Sequence, residues 1–287
     1  MTYRRRASPL HAARAGVGSL FCVVLAGVAL SFEHPVLLAA VGVGVVLAGV
    51  AAGVGDAVAR SLLWGLPFAG LIALVNALVV RDGLTVIARL GDLPPLGAVD
   101  VTFEATAYGG ILGLRAVIVI ACFALHSAAV DPDELLRAFR RLSFRSALTA
   151  ALATRMVPVL ARDARRLRDA QRCRPGRPAS RLAIARAVTA GALDRAVDVA
   201  ATLEVRGYGG PARPPRARRP WSRHDLAFAA ATVALAVLGV AVAVEGWEPF
   251  EAYPRMVAPL EPGVLALAAA LLALALVPFA DRRGVGR

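Results

Sequence analysis

Lysine is absent from this chain of 287 residues; all 33 of its basic residues other than histidine are arginine. That absence removes whole classes of chemistry. A Walker A loop needs a lysine on the nucleotide's phosphates, and a Schiff base with pyridoxal phosphate or retinal needs a primary amine, so the chain is itself neither a P-loop ATPase nor an imine-forming enzyme. Cysteine is nearly as scarce: Cys22 and Cys122 fall within apolar runs and Cys173 within a basic one, with no disulfide framework and no zinc spacing. His11, His34, His126 and His224 are scattered and form no His-x-x-x-His pair, which leaves metal-centred hydrolysis without ligands. No Gly-x-Ser-x-Gly elbow occurs, so a serine-hydrolase reading is poorly supported. Without a reactive constellation, the chain reads as a transport or scaffolding protein.

In place of catalytic groups there is apolar sequence. Only 18% of residues are charged and 58% are hydrophobic, the balance of a polytopic membrane protein. Six runs are long and uncharged enough to cross a bilayer as helices: 15–31, 36–54, 61–80, 107–129, 226–244 and 261–280. They predict an all-α membrane bundle. The first run follows "YRRR" but is long for a signal peptide's apolar core, and a second span follows after "EHP", so it is expected to be retained. Between the third and fourth spans lies "RDGLTVIARLGDLPPLGAVDVTFEAT", whose "DLPPLG" breaks any helix.

The net charge of +13 is concentrated in one place. Residues 131–224 hold 21 of the 33 arginines and 8 of the 20 acids, so the rest of the chain is neutral. Positive residues stay on the cytoplasmic side during insertion, which places this segment, Arg4, Arg5, Arg6 and Arg14, and the C-terminal "DRRGVGR" in the cytoplasm. Arg81 and Arg89 fall outside and are offset by Asp82, Asp92, Asp100 and Glu104. The expected organisation is four spans over 1–130, a cytoplasmic helical module over 131–210, an arginine- and proline-rich linker over 211–225, and a membrane pair with a tail over 226–287.

The helical module has its own pattern. "DPDELLRAFRRL" opens with Asp131 as N-cap, Pro132 at the first helical position and Glu134 at the third, and presents Leu135, Leu136, Phe139 and Leu142 on one face. A long amphipathic helix follows, with Leu148, Leu152, Met156, Val159, Leu160 and Leu167 on one side, Arg155, Arg162 and Arg166 on another, and a kink at Pro158. It must stop near Arg174, because Pro175, Gly176 and Pro178 come next. A second helix begins near Ala179, carries Ile184, Val188, Ala192, Ala196, Val199 and Leu203, and ends where Arg206 meets "GYGGP".

Both helices therefore finish on an arginine followed by a break. A cation at a helix C-terminus is ordinarily a cap that contributes ~0.3–1 kcal/mol, and a basic segment is ordinarily a topology signal attracted to anionic lipid. Neither explains two long apolar stripes, which need the membrane interface, each other or a partner protein to cover them. A guanidinium at a helix tip can grip carboxylates or carbonyls through two hydrogen bonds.

Within the spans, Arg115 lies ~12 Å into the fourth at the helical rise per residue. It is expected to face the bundle and bond Asn76 or a backbone carbonyl. Gly109 and Gly113 have the spacing that lets two membrane helices approach closely.

Taken in order, "NALVV", "DPDELLRAFRRL", "AQRCRPG" and "LEVRGYGG" resemble the transmembrane component of energy-coupling factor (ECF) transporters, the family that includes CbiQ-type cobalt permeases, over about residues 14–210. The resemblance implies that the two arginine-tipped helices are coupling helices, each seated in a groove of one ATPase subunit. Arg174, flanked by Cys173 and Pro175, and Arg206, flanked by Glu204, Val205, Gly207 and Tyr208, then take the docking roles. The first motif departs from the family pattern, since Cys173 and Pro175 stand where alanine and glycine or serine are usual, and Pro175 fixes the chain's exit. The implied partners are two cytoplasmic ABC ATPases, a small membrane subunit that binds substrate, and the bilayer of a bacterial plasma membrane. The resemblance implies no cofactor, metal site or nucleic acid, and it leaves the choice of vitamin or transition-metal ion to the separate subunit.

Two other readings remain open. The membrane subunit of an ordinary ABC importer grips its ATPase through one short loop helix. A membrane-anchored binder of nucleic acid or acidic protein would interleave aromatics with its arginines, and between 131 and 207 only Phe139 and Phe144 are aromatic.

Overall fold

The computed structural model describes residues 3, 6–80, 83–93, 97–139, 144–173, 180–207, 220–247, 250–253, 256–281 and 283, with 90–93, 97–99, 139 and 144–147 described by their backbone alone. The chain divides into two compact units, residues 1–135 with 221–287, and residues 136–220.

In the first unit, a short α1 (Pro9–Ala12) precedes α2 (Ala15–Ser31), α3 (Pro35–Ala51), α4 (Gly55–Val79) and α5 (Phe103–Ala129). The helix α6 (Pro132–Phe139) leads into the second unit, which contains α7 (Phe144–Arg172) and α8 (Arg181–Val205). The chain returns to the first unit with α9 (Arg223–Glu245) and α10 (Pro262–Leu276), extended by a 3₁₀ turn at Val277–Phe279. The six expected spans are thus α2, α3, α4, α5, α9 and α10.

Local chemistry sets their limits. Pro35 begins α3 behind His34, whose ring accepts from the Val36 N–H (3.3 Å). Thr102 caps α5 by accepting from the Ala105 N–H (3.3 Å). Gly246 ends α9 with φ +65°, a left-handed conformation that costs other residues ~1–2 kcal/mol. The 17 residues of α2 and of α3 span only ~25 Å, whereas α4 and α5, with 25 and 27 residues, reach ~37–40 Å.

The core of this unit lies among α2, α3, α5, α9 and α10, around Leu25, Leu37, Leu38, Ile118, Leu125 and Leu235, all fully buried. Phe21, Phe228 and Phe279 meet edge to face, with centroids 5.1–6.3 Å apart, and join α2, α9 and the last turn. By contrast, α4 is packed mainly on α5. A Cβ on Gly113 would lie 2.8 Å from the Ala69 carbonyl oxygen, and one on Gly109 would lie 2.9 Å from Ala73 Cα, so the backbones touch at these glycines. The opposite side of α4 turns Leu63, Trp64, Leu66, Phe68, Leu71 and Leu74 outward. Long apolar helices with leucine and tryptophan on the outside are the pattern of an all-α, multi-pass membrane protein.

The segment between α4 and α5 is an antiparallel hairpin of β1 (Val86–Leu93) and β2 (Gly97–Thr102), in which Arg89 stands opposite Asp100. Its base is tied to α5: Thr85 donates its N–H and its hydroxyl to the buried Glu104 carboxylate (3.2 and 2.8 Å), and the Phe103 N–H donates to the Thr85 carbonyl (2.8 Å). The sequence signalled the helix break but not the strands on either side of it.

Candidate functional site

The second unit carries the arginine-tipped helices. On α7 the half-buried positions include Leu152, Met156, Val159, Leu160, Asp163 and Leu167, while Arg155, Arg162 and Arg166 are exposed. On α8 the half-buried positions are Ile184, Val188, Ala192, Arg195, Val199 and Leu203. The stripe passes through Arg195, and Ala196, the residue expected there, is exposed. The cause is an ion pair: Arg195 donates to Asp163 across the two helices at 3.0 Å. Each stripe thus contains one charged residue, and the two are bonded to each other.

The end of α8 is built as an open tip. Ser180 starts the helix by accepting from the Ala183 N–H (3.2 Å). At the other end Arg206 is the C-cap, its N–H donating to the Thr202 carbonyl (3.2 Å), and Gly207 follows at φ +74° with its N–H on the Glu204 carbonyl (2.8 Å). The left-handed glycine turns the chain away immediately after the arginine. Glu204, Val205, Arg206 and Gly207 are all exposed, Val205 at 90%. An apolar side chain so placed beside a guanidinium lacks any cover from its own chain. Cys173, a free and exposed thiol, directly follows α7, its N–H donating to the Asp169 carbonyl (3.3 Å). Arg174, Pro175 and Tyr208 lie outside the described residues.

The two polar residues assigned to the spans are not joined to each other. Asn76 donates to the Ala105 carbonyl (2.6 Å) and ties α4 to the first turn of α5. Arg115 donates to the Phe32 carbonyl (2.7 Å) and lies 3.6 Å from the Glu33 carboxylate, at the turn between α2 and α3. Twelve residues of α5, ~18 Å of helix, precede Arg115, so α5 extends well past the short α2–α3 pair on that side. Of the two partners expected for Arg115, the backbone carbonyl is the one it bonds, at a helix-connecting turn.

Further polar residues gather at the opposite end of this unit, beside the starts of α2 and α9. The fully buried Asp225 carboxylate accepts from the N–H of Arg14, the N-cap of α2 (2.7 Å), and from the N–H of Ser222, the N-cap of α9 (2.9 Å). Arg14 adds an ion pair through Nε (3.3 Å), and its guanidinium lies 5.1 Å over the Trp221 ring. Close by, Arg283 donates its N–H to Asp281 (2.9 Å), and this bond, helped by Arg223, holds the Asp281 carboxyl below the usual carboxylate range. Ser19 and His126 bridge α2 and α5 at 2.9 Å. Arg14 and Asp225 are 211 positions apart, and no periodicity connects residues at such a distance. Among the described residues no three His, Cys, Asp or Glu side chains form a metal-binding group.

Comparison with known proteins places these features. No curated protein sequence matches the chain. The cobalt transport protein family CbiQ matches residues 7–216, which covers the first four spans, both arginine-tipped helices and the start of the linker. The match makes this a component of a membrane transport system, and the chain belongs to the CbiQ cobalt transport protein family.

Proposed function

We propose that this chain is the transmembrane energy-coupling subunit of an ECF-type ABC importer in a bacterial plasma membrane, with both termini and residues 136–220 in the cytoplasm. Two ATPases hydrolyse ATP, and the chain passes their motion to a separate membrane subunit that binds a vitamin or a transition-metal ion. The chain has no catalytic role of its own. The observation that carries this reading is the tip of α8, where Arg206 is held at the helix end by a left-handed glycine beside an uncovered valine. The left-handed glycine alone is an ordinary helix stop, as Gly246 is for α9, so the reading rests on a guanidinium and an uncovered valine presented together at the helix end.

In this reading Arg206 and Arg174 enter clefts on the two ATPases and bond carboxylates or carbonyls there, with Glu204, Val205, Gly207 and Tyr208 around one arginine and Cys173 and Pro175 around the other. Closure of the ATPases on ATP moves both helices together. An ordinary ABC importer subunit would present one short loop helix, and two helices of 29 and 25 residues fit the ECF plan better.

The test is co-purification. Arg174→Ala and Arg206→Ala should each weaken ATPase capture by the tagged chain, and the double variant should capture none while accumulating normally in the membrane. Capture of undiminished ATPase by the double variant would overturn the assignment.

A further inference from the structure

We propose that Asp163 and Arg195 form a register pin that fixes where α7 and α8 meet and so sets the ends of the two helices at nearly equal reach from that junction. This rests on the coupling reading above and adds to it the residues that set the geometry.

The register is symmetric. Asp163 precedes Arg174 by eleven residues, and Arg195 precedes Arg206 by eleven. From the ion pair, α7 continues as helix for nine residues to Arg172 and α8 for ten to Val205, so the two arms extend ~14 and ~15 Å at the helical rise. Pro158, the residue that interrupts the hydrogen bonding of α7, lies before the pin and leaves this arm intact. Two ATPases of one fold, bound by equivalent tips, need those tips at equivalent distances from a common centre.

The pair is suited to specifying a register more than to adding stability. Asp163 and Arg195 are 28% and 39% exposed, and ion pairs as open as this contribute little to folding. Misalignment is what they oppose. The sequence of α7 contains seven arginines and two aspartates, and the second, Asp169, is exposed. Arg195 is the one charged residue on the half-buried stripe of α8, and a slip of one turn would set its guanidinium against Val159 or Leu167 instead of a carboxylate. The other residues of both stripes are uncharged, so the ion pair is the polar contact between them that depends on register.

The experiment is a charge exchange in the tagged full chain, purified with the ATPases it captures. Asp163→Arg and Arg195→Asp should each lower captured ATPase about tenfold, and the exchanged double variant should recover most of it, since a coupled pair shows non-additive effects. Membrane levels of the chain should be equal throughout. Should a reversal reduce those levels, Asp163→Asn and Arg195→Gln replace it, with a smaller loss of capture expected in the same direction.

Full capture by the single variants, or no recovery on exchange, would overturn the pin. A second measurement separates this failure from failure of the coupling reading: cysteines replacing Asp163 and Arg195 in a Cys173→Ser background should cross-link in native membranes through a short bifunctional thiol reagent, which spans the reach of the side chains it replaces. Cross-linking without any captured ATPase, even in the unaltered chain, would retain the geometry but overturn the coupling reading and the pin's role with it. Absence of the cross-link would overturn the pin directly.

Discussion

Asp225 is the side chain on which the starts of α2 and α9 converge. Its carboxylate serves the N-termini of two helices, α2 through the Arg14 N–H and α9 through the Ser222 N–H, and it is buried beside the Arg14 guanidinium. Two helix N-termini and one guanidinium surround the carboxylate, which is 0% exposed. Asp225→Asn keeps the shape but loses the charge and turns an NH₂ towards a backbone donor. It should cost about 3 kcal/mol, seen as a lower thermal midpoint of the detergent-solubilised protein. Arg14→Gln should cost less, because Arg14 is partly exposed and its backbone N–H still caps onto Asp225. Gly207 gives a contrasting case: a Cβ there would meet nothing within 4 Å, so Gly207→Ala tests backbone conformation alone. The alanine should leave the membrane unit unaffected and weaken ATPase capture about tenfold, since ~1–2 kcal/mol of left-handed strain opposes the turn after Arg206.

Among the elements, the junction of α4 and α5 gives the sharpest contrast between adjacent positions. Gly113 faces the Ala69 backbone at a distance that excludes any side chain, whereas Gly110 has nothing within 4 Å of its Cβ site. Gly113→Val should therefore force the helices apart, at ~1–3 kcal/mol for overpacking, and lower both yield and thermal midpoint, while Gly110→Val should change neither. The Gly109–Gly113 spacing was legible in the sequence, but the matching small residues Ala69 and Ala73 were not singled out, because alanine is common throughout these spans. The six spans were legible because an unbroken apolar run needs only length to declare itself. The hairpin was not, since "DLPPLG" says where a helix stops and the β-branched residues beside it, Thr85, Val86 and Ile87 before and Val99, Val101 and Thr102 after, form runs too short to declare a strand. The end of α8 at Arg206 was visible through its glycine punctuation, while Arg174 lies outside the described residues. The Asp163–Arg195 pair was hidden, because each is one charge among many on an arginine-rich surface and the partner 32 positions away is fixed only by the packing of two helices.

At the scale of the whole molecule, the charge of the chain and its native thiols make its orientation measurable without a fusion. The entire net charge of +13 falls in residues 131–224, and such a concentration of arginine resists translocation, so the proposed orientation places it in the cytoplasm. Cys173 is exposed in that segment, whereas Cys22 and Cys122 are buried in α2 and α5. A thiol reagent that cannot cross membranes should therefore leave the native chain unlabelled in intact spheroplasts and label it at a single site, Cys173, once the membrane is opened. Asp100, exposed on the hairpin at the other end of α5, supplies the complementary probe: in an Asp100→Cys, Cys173→Ser variant, labelling should occur in intact spheroplasts. The two results are linked because a single span, α5, separates the probes in the chain and so puts them on opposite sides of the membrane. Labelling of Cys173 from outside would invert the orientation and place the arginine tips where no cytoplasmic ATPase could reach them, so this measurement bears on the coupling role as directly as the substitution of either arginine.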